Sequence, residues 1–299
     1  MSIRTLRRLP NFVINGHALH SSSFDDEDDD DDERSSTLKH IAFICDGNSR
    51  WAQQRNLPSL AGHAAGAERL VEILQVLQRQ TNVVYCTMYA FSTENWKRPS
   101  HEIKDILQVM EQTARQFRHR LRKDGVRFRV LGDLTDSRIP ESLRNLLQQM
   151  QDETSIPKDD NNKEGLTLCV AVNYGGRQDI VNAAKRIATL AVAETLSTQN
   201  STTSAFSVDD INDDLVSSLL STSGIPDPDL IIRTSGESRL SNFLLWNAAY
   251  SELYFSDTLW PDFDKESLQE AVAWYHGRQR RFGARTKSTK ETSVSSSVK

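Results

Sequence analysis

The sequence predicts an α/β fold: a mostly parallel central sheet flanked by helices. Three observations carry that expectation. Short apolar runs rich in β-branched residues are mostly continuous rather than alternating, as strands buried on both faces are. Longer stretches with apolar residues at three- and four-residue spacing lie between them. Gly125 and Pro140 punctuate those stretches where a helix should stop and start. A chain of 299 residues with 37% apolar content can bury one substantial core. The expected organisation is therefore one folded region, residues 39–284, with a leader at 1–38 and a disordered tail at 285–299.

The first 24 residues hold Arg4, Arg7 and Arg8, several Ser, and no Asp or Glu. That is the composition of an organelle-targeting segment, plastid before mitochondrion; a disordered tail and a cytoplasmic location are the alternatives. Nine consecutive acids, Asp25 to Glu33, follow as a solvated linker. They are not a metal-binding DDxxD, because no apolar helix face flanks them. The formal charge is −5, but without those nine acids 36 basic residues stand against 32 acidic ones. A mildly basic fold suits anionic small molecules or peripheral contact with an anionic membrane and gives no support to nucleic-acid binding.

Beyond Lys39 the expected strands are His40–Cys45, Val83–Phe91, Val126–Leu131, Leu166–Asn173 and Leu230–Ile232. The expected helices are Gly66–Gln80, His101–Lys123, Glu141–Gln151, Gln178–Leu196, Val208–Leu220 and Lys265–Arg281, with a surface loop at Ser197–Ser207. No apolar run approaches the ~18–20 residues of a membrane span. Cys45, Cys86 and Cys169 form no CxxC pair, which fits a reducing compartment without structural zinc.

Ligands of parallel α/β folds bind beyond the carboxyl ends of the strands. The residues there are polar: Asp46 to Trp51, Ser92 to Pro99, Tyr174 to Arg177, and Arg233 to Arg239. Strand-to-helix turns offer free N–H groups to anions, and these four also bring Arg50, Arg98, Arg177, Arg233 and Arg239. Asp46 is the single carboxylate a magnesium ion needs when substrate oxygens and water complete its shell. No GxxxxGK[ST] or GxGxxG is present.

The stretches HIAFICDGNSRWAQQRNLPSLAGHAAGAE, YAFSTENWKRP, AVNYGGRQDIVNAAKRIA, PDLIIRTSGESRLSNFLLWNAAYSELYF and WPDF, with a closing RRFG, resemble the undecaprenyl diphosphate synthase family of cis-prenyltransferases over roughly residues 40–283. The resemblance implies condensation of isopentenyl diphosphate with an allylic diphosphate, with Mg2+ as cofactor, in a homodimer. It places the catalytic, magnesium-organising carboxylate on Asp46 and a second metal-associated carboxylate on Glu252. Gly47, Asn48, Arg50 and His63 match the allylic diphosphate site, Asn95 and Arg98 the pair that assists diphosphate departure, and Arg233, Arg239 and Ser241 the isopentenyl diphosphate clamp. Ser92, Trp51 and Trp96 complete the expected substrate site; Trp51, Phe91 and Trp96 either face the allyl cation or pack the core. A non-catalytic partner subunit of the same fold would lose the Asp and Arg set, which this chain keeps.

Four positions depart from the family pattern: Cys45 replaces a Met, Ser59 an Arg, Ser235 a Gly and Ser238 a His. Ser235 implies a backbone that needs no positive φ. The His101–Lys123 stripe (Ile103, Ile106, Leu107, Met110, Ala114, Phe117, Leu121) reads as core, and by the resemblance also as a wall of an apolar product tunnel. Small Ala90 at its entrance and no insertion between Arg98 and Asp133 imply a medium-chain product.

Overall fold

The structure, a computed structural model, describes residues 38–155, 165–197 and 206–278. The expected targeting segment and acidic linker, most of the expected Ser/Thr-rich loop, the closing RRFG and the expected tail at 285–299 lie outside the described residues. In chain order the elements are β1 (His40–Ile44), α1 (Asn48–Gln54), α2 (Ser59–Gln80), β2 (Tyr85–Ser92), α3 (Ser100–Lys123), β3 (Arg127–Leu131), α4 (Glu141–Thr154), β4 (Thr167–Tyr174), α5 (Gly176–Ser197), α6 (Asp213–Leu219), β5 (Leu230–Arg233), β6 (Glu252–Phe255) and α7 (Lys265–His276). The strands form one sheet in the order β3-β4-β2-β1-β5-β6, every pairing parallel.

Continuous apolar strands are explained by burial on both faces. In β1, Ile41 and Phe43 enter one cluster while Ala42 and Ile44 enter the other; β4 divides likewise, Leu168, Val170 and Val172 against Cys169 and Ala171. The first cluster also takes Leu74 and Leu77 of α2, Ile106 and Leu107 of α3, and Leu143 and Leu147 of α4. Trp260 locks this side to the site: its ring packs on Phe43 and Phe263, its Nε1 donates to Gly66 O at 2.8 Å, and its N–H to Asp46 O at 3.0 Å. Truncating so buried a Trp to Ala costs ~3–5 kcal/mol.

Four elements differ from expectation. α2 begins at Ser59 rather than Gly66, because Gly62 and Gly66 admit a neighbour instead of breaking the helix: a Cβ there would lie 2.0 Å from Asn48 O and 2.2 Å from Asn48 Oδ1. The expected Val208–Leu220 helix divides into a 3-10 turn, Val208–Asp210, and α6, whose cap Asn212 accepts from Leu215 N at 2.9 Å. α1 and β6 were not expected at all. At the β3 edge, α4 turns side chains onto the outward amides: Phe128 N donates to Thr154 Oγ1 (2.9 Å) and Val130 N to Gln151 Oε1 (3.0 Å).

Candidate active site

Winding from β1 runs first to β2 and later returns to β5 on the other flank. The crevice outside the carboxyl ends of β1 and β5 is thus where a ligand is expected. Asp46 and Arg233 meet there, Asp46 Oδ2 accepting from Arg233 Nη2 at 2.8 Å. Their burial is unequal: the Arg233 side chain is 4% exposed, that of Asp46 36%. Arg233 Nη1 donates to Arg239 O (2.5 Å) and Ser241 Oγ (2.7 Å), while its buried Nε has no acceptor among the described residues. A buried guanidinium with a donor left over suits an anionic oxygen. Asp46 is fixed by its own turn, Asp46 N donating to Thr234 Oγ1 and Gly47 N to Asp46 Oδ1. Gly47 holds φ +104°, and a Cβ there would lie 2.9 Å from the Leu259 side chain.

Arg50, on the first turn of α1, reaches across to β5's turn. It donates to Ser235 O (3.1 Å) and Ser235 Oγ (2.5 Å) and lies 3.7 Å from both Asp46 and Glu237. Ser235 has φ +78°, contrary to the expectation of an ordinary backbone. The Arg50 bonds and Ser235 N donating to Thr258 O (2.8 Å) hold it in that left-handed state. Arg239 lends its carbonyl to Arg233, while its own guanidinium pairs with Glu237. Ser59 Oγ stands 2.8 Å from Ser49 Oγ.

On β2's turn, Ser92 N donates to Asn95 Oδ1 at 2.9 Å, one half of a capping box, and Arg98 pairs with Glu102 at 2.7 Å. Burial, and after it the charge of Arg98, lowers the His63 imidazole from its ordinary value; its buried Nε2 has no partner among the described residues. Tyr89, assigned no role from the sequence, stacks on Phe243 and sends its hydroxyl to Tyr174 O and Ser241 O. Burial, then Glu94, pushes that phenol up.

The turn after β4 corrects the expectation of four anion-binding turns. Asn242 already occupies the amino end of α5: Gly176 N donates to Asn242 O (2.7 Å) and Arg177 N to Asn242 Oδ1 (2.8 Å). Three further assignments also move. Trp51 turns away, its Nε1 donating to Asp262 (2.7 Å) with Arg55 over its ring. Trp96 packs edge-on to Phe91 and donates to Asn173 Oδ1 (2.8 Å), with Arg138 on its face, which is the core-side alternative. Glu252 pairs with Leu230 at the start of β5, whereas Arg233 pairs with Ile44 at the other end. Three residues at ~3.3 Å each separate those levels, so one chain does not bring Glu252 to Asp46. Its carboxylate faces Arg278 at 3.5 Å instead.

The remaining eleven expected residues, from Asp46 and Gly47 to Arg239 and Ser241, line one polar crevice of about 730 Å³, joined by Glu94, Glu102 and Asn242. An apolar cavity of about 200 Å³ continues from it between α2, α3 and the sheet. Cys45, Asn48, His63, Tyr89, Ala90 and Ile106 line both. Met110, Ala114, Phe117 and Leu121 carry the apolar wall along α3 toward Asp124, about 27 Å from Ile106 at ~1.5 Å per residue.

Among the described residues no three His, Cys, Asp or Glu side chains gather as a metal cage. The donor set still fits magnesium, which binds through one or two carboxylates plus phosphate oxygens and water. Asp46 is such a carboxylate, part-exposed beside buried cationic donors.

A parallel sheet with paired Asp and Arg at its switch point, opening onto an apolar cavity, makes a site suited to an anionic head group that carries a hydrocarbon tail. Residues 44–283 match the family model described as "Putative undecaprenyl diphosphate synthase". An isoprenyl transferase of Heliobacterium mobile is 45% identical over 245 residues, 82% of this chain and 87% of that one. One of Clostridium perfringens is 43% identical over 82% and 89%. The crystal structure of lavandulyl diphosphate synthase from Lavandula x intermedia, in complex with dimethylallyl diphosphate, superposes with a TM-score of 0.74 at 32% identity, covering 84% of this chain and all of that one. The chain belongs to the undecaprenyl diphosphate synthase family and is a cis-prenyltransferase, an enzyme of prenyl-chain elongation.

Proposed function

We propose that this enzyme condenses isopentenyl diphosphate with an allylic diphosphate in the Asp46–Arg233 crevice and delivers a medium-chain polyprenyl diphosphate near the undecaprenyl range. The observation carrying this reading is the continuity of polar crevice and apolar cavity through Ala90, Cys45 and His63. Arg233, Arg239 and Ser241 hold the isopentenyl diphosphate, the Arg239 carbonyl also bracing the Arg233 guanidinium; Gly47, Asn48, Arg50 and His63 hold the allylic one. Breaking the allylic C–O bond places negative charge on the departing diphosphate. Arg50, Arg98 and Asn95 stand where fixed donors stabilise that charge. Asp46 would hold magnesium, which supplies Lewis-acid neutralisation of the diphosphate oxygens when bound. The cavity wall excludes water from the growing chain.

The test incubates the purified enzyme with isopentenyl diphosphate and ten-, fifteen- or twenty-carbon allylic diphosphates, with and without magnesium, and sizes the dephosphorylated alcohols. Medium-chain products that require magnesium support the reading, and Phe117→Ala should lengthen them. The likeness to lavandulyl diphosphate synthase favours a second reading, an enzyme that stops after one condensation. Products only five carbons longer than each starter would establish it instead.

The same proposal reads residues 1–24 as a plastid-targeting segment and the enzyme as a homodimer with peripheral membrane contact. The acid-free, Arg-bearing start supports the first part. A fluorescent fusion of residues 1–40 that stays cytosolic overturns it, and light scattering decides the dimer.

A further inference from the structure

Between β5 and β6, Ser241 (φ 49°), Asn242 (φ 65°) and Leu244 (φ 43°) all take left-handed backbone. Each is costly for a residue with a side chain and persists only where its surroundings hold it. Asn242 supplies that hold. Its Nδ2 donates to Glu94 Oε1 on the β2 turn (2.8 Å), its Oδ1 accepts from Arg177 N, and its main-chain O accepts from Gly176 N. Gly175 makes the seat possible, since a Cβ there would lie 2.6 Å from both Asn242 Nδ2 and Thr93 Oγ1. One residue earlier, Ser241 Oγ accepts from Arg233 Nη1, which leaves Nη2 for Asp46. Contacts thus run without a break from Glu94 through Asn242 and Ser241 to Arg233 and Asp46, joining three strand ends.

We infer that Asn242 is a positioning residue: its side-chain amide, latched between Glu94 and the amino end of α5, sets Ser241 and through it the Arg233 guanidinium in the orientation that takes isopentenyl diphosphate. The inference rests on the substrate assignment proposed above. A purely structural role, capping α5, predicts something different. Arg177 N donates to a carboxylate oxygen as readily as to an amide oxygen, and a helix amino end favours the negative charge. Asn242→Asp therefore keeps the cap and, since Asp also tolerates left-handed backbone, the loop conformation. It replaces only the Glu94 contact, by two facing carboxylates.

The experiment is a double-mutant cycle on the full-length enzyme with N242D, E94Q and the pair. N242D should raise the KM for isopentenyl diphosphate about tenfold while the allylic KM and kcat stay within about twofold, a coupling of the size usual for residues in contact. E94Q alone keeps an oxygen for the Asn242 amide and should change the same KM less than about threefold. In the pair, the introduced amide can donate to the introduced carboxylate, so most of the loss should be recovered. Thermal unfolding of all three should lie within a few degrees of the parent. An unchanged isopentenyl KM in N242D, or a pair as impaired as N242D alone, overturns the latch. Arg233→Lys, measured alongside, judges the assignment beneath it, because an ammonium does not reproduce bidentate guanidinium contacts. If that variant leaves the isopentenyl KM unchanged the substrate reading fails, whereas loss of rescue with an intact Arg233→Lys effect removes the latch alone.

Discussion

At the amino ends of the strands Asp229 Oδ2 accepts from both Lys39 N and His40 N, at 2.9 and 3.0 Å, and His40 sits between Pro226 O and Thr87 Oγ1. Ser251 donates to Pro228 O, and Asn247 to Asp227. Positive φ at this edge belongs to Gly125 and Gly224. At the carboxyl ends, by contrast, Asn173, Ser235, Ser241, Asn242 and Leu244 carry it, and Arg233 Nε, His63 Nε2 and Asn48 Oδ1 are buried without partners among the described residues. One sheet thus has a satisfied end and a strained, under-satisfied one. The difference teaches where binding energy can be directed: a group already paired in the free protein has little left for a ligand.

The comparison predicts that changes at the carboxyl end affect turnover far more than folding. Asp46→Asn should lower kcat by at least ~100-fold while thermal unfolding shifts by only a few degrees. A variant that keeps a tenth of the parent's turnover at saturating magnesium would break the contrast.

The amino end should show the reverse, an effect on folding alone. Burial lowers the His40 imidazole to about 4 from its ordinary 6.5. The unfolded chain therefore binds a proton that the folded one refuses between those values. The stabilising contribution is full above 6.5 and is lost as pH falls toward 4, on the order of 3 kcal/mol in all. Denaturant unfolding of the parent and of His40→Asn between pH 7 and 4.5 measures it: the parent should lose stability more steeply. Parallel slopes would show that His40 takes up no proton on unfolding.

The smallest effect sharpens the boundary of the strained region. Trp51 lies in the loop segment the sequence assigns to substrate, yet its ring faces Asp262 and Arg55. Trp51→Phe should cost about 1 kcal/mol of stability for the lost bond and leave both KM values within about twofold. A larger rise in the allylic KM would return Trp51 to the site.

Most of the five expected strands were legible because burial on both faces writes a near-continuous apolar run, whereas β3, at the sheet edge, sets buried Phe128 between part-buried Arg127 and Arg129. β6 was not: three of its four residues are part-buried, Phe255 is exposed, and ELYF mixes polar and apolar like any loop. α1 was hidden because its seven residues follow the Asp46-Gly47 turn with no periodicity to count. The residues of the crevice were legible as strand-end polar turns and through family motifs. What neither signal contains is the partner of each group. The Gly175-Gly176 turn looks like an anion seat until Asn242, some 65 residues on, is found filling it. Glu252 shares a motif with the clamp residues, but the register of β6 carries it to the opposite edge. Trp96 was balanced between site and core, and only Asn173 and Arg138 decide it.

Thr154 and Gln151 occupy the outward amides of Phe128 and Val130 on the last strand of the sheet. An edge strand with free amides is a template on which a further strand from another molecule can grow. Here α4 has closed that template with two side chains, one hydrogen bond each. The β3 flank thus offers another strand fewer free donors, and Gln151→Leu, which bares the Val130 amide beside new apolar surface, is one change that should reopen it.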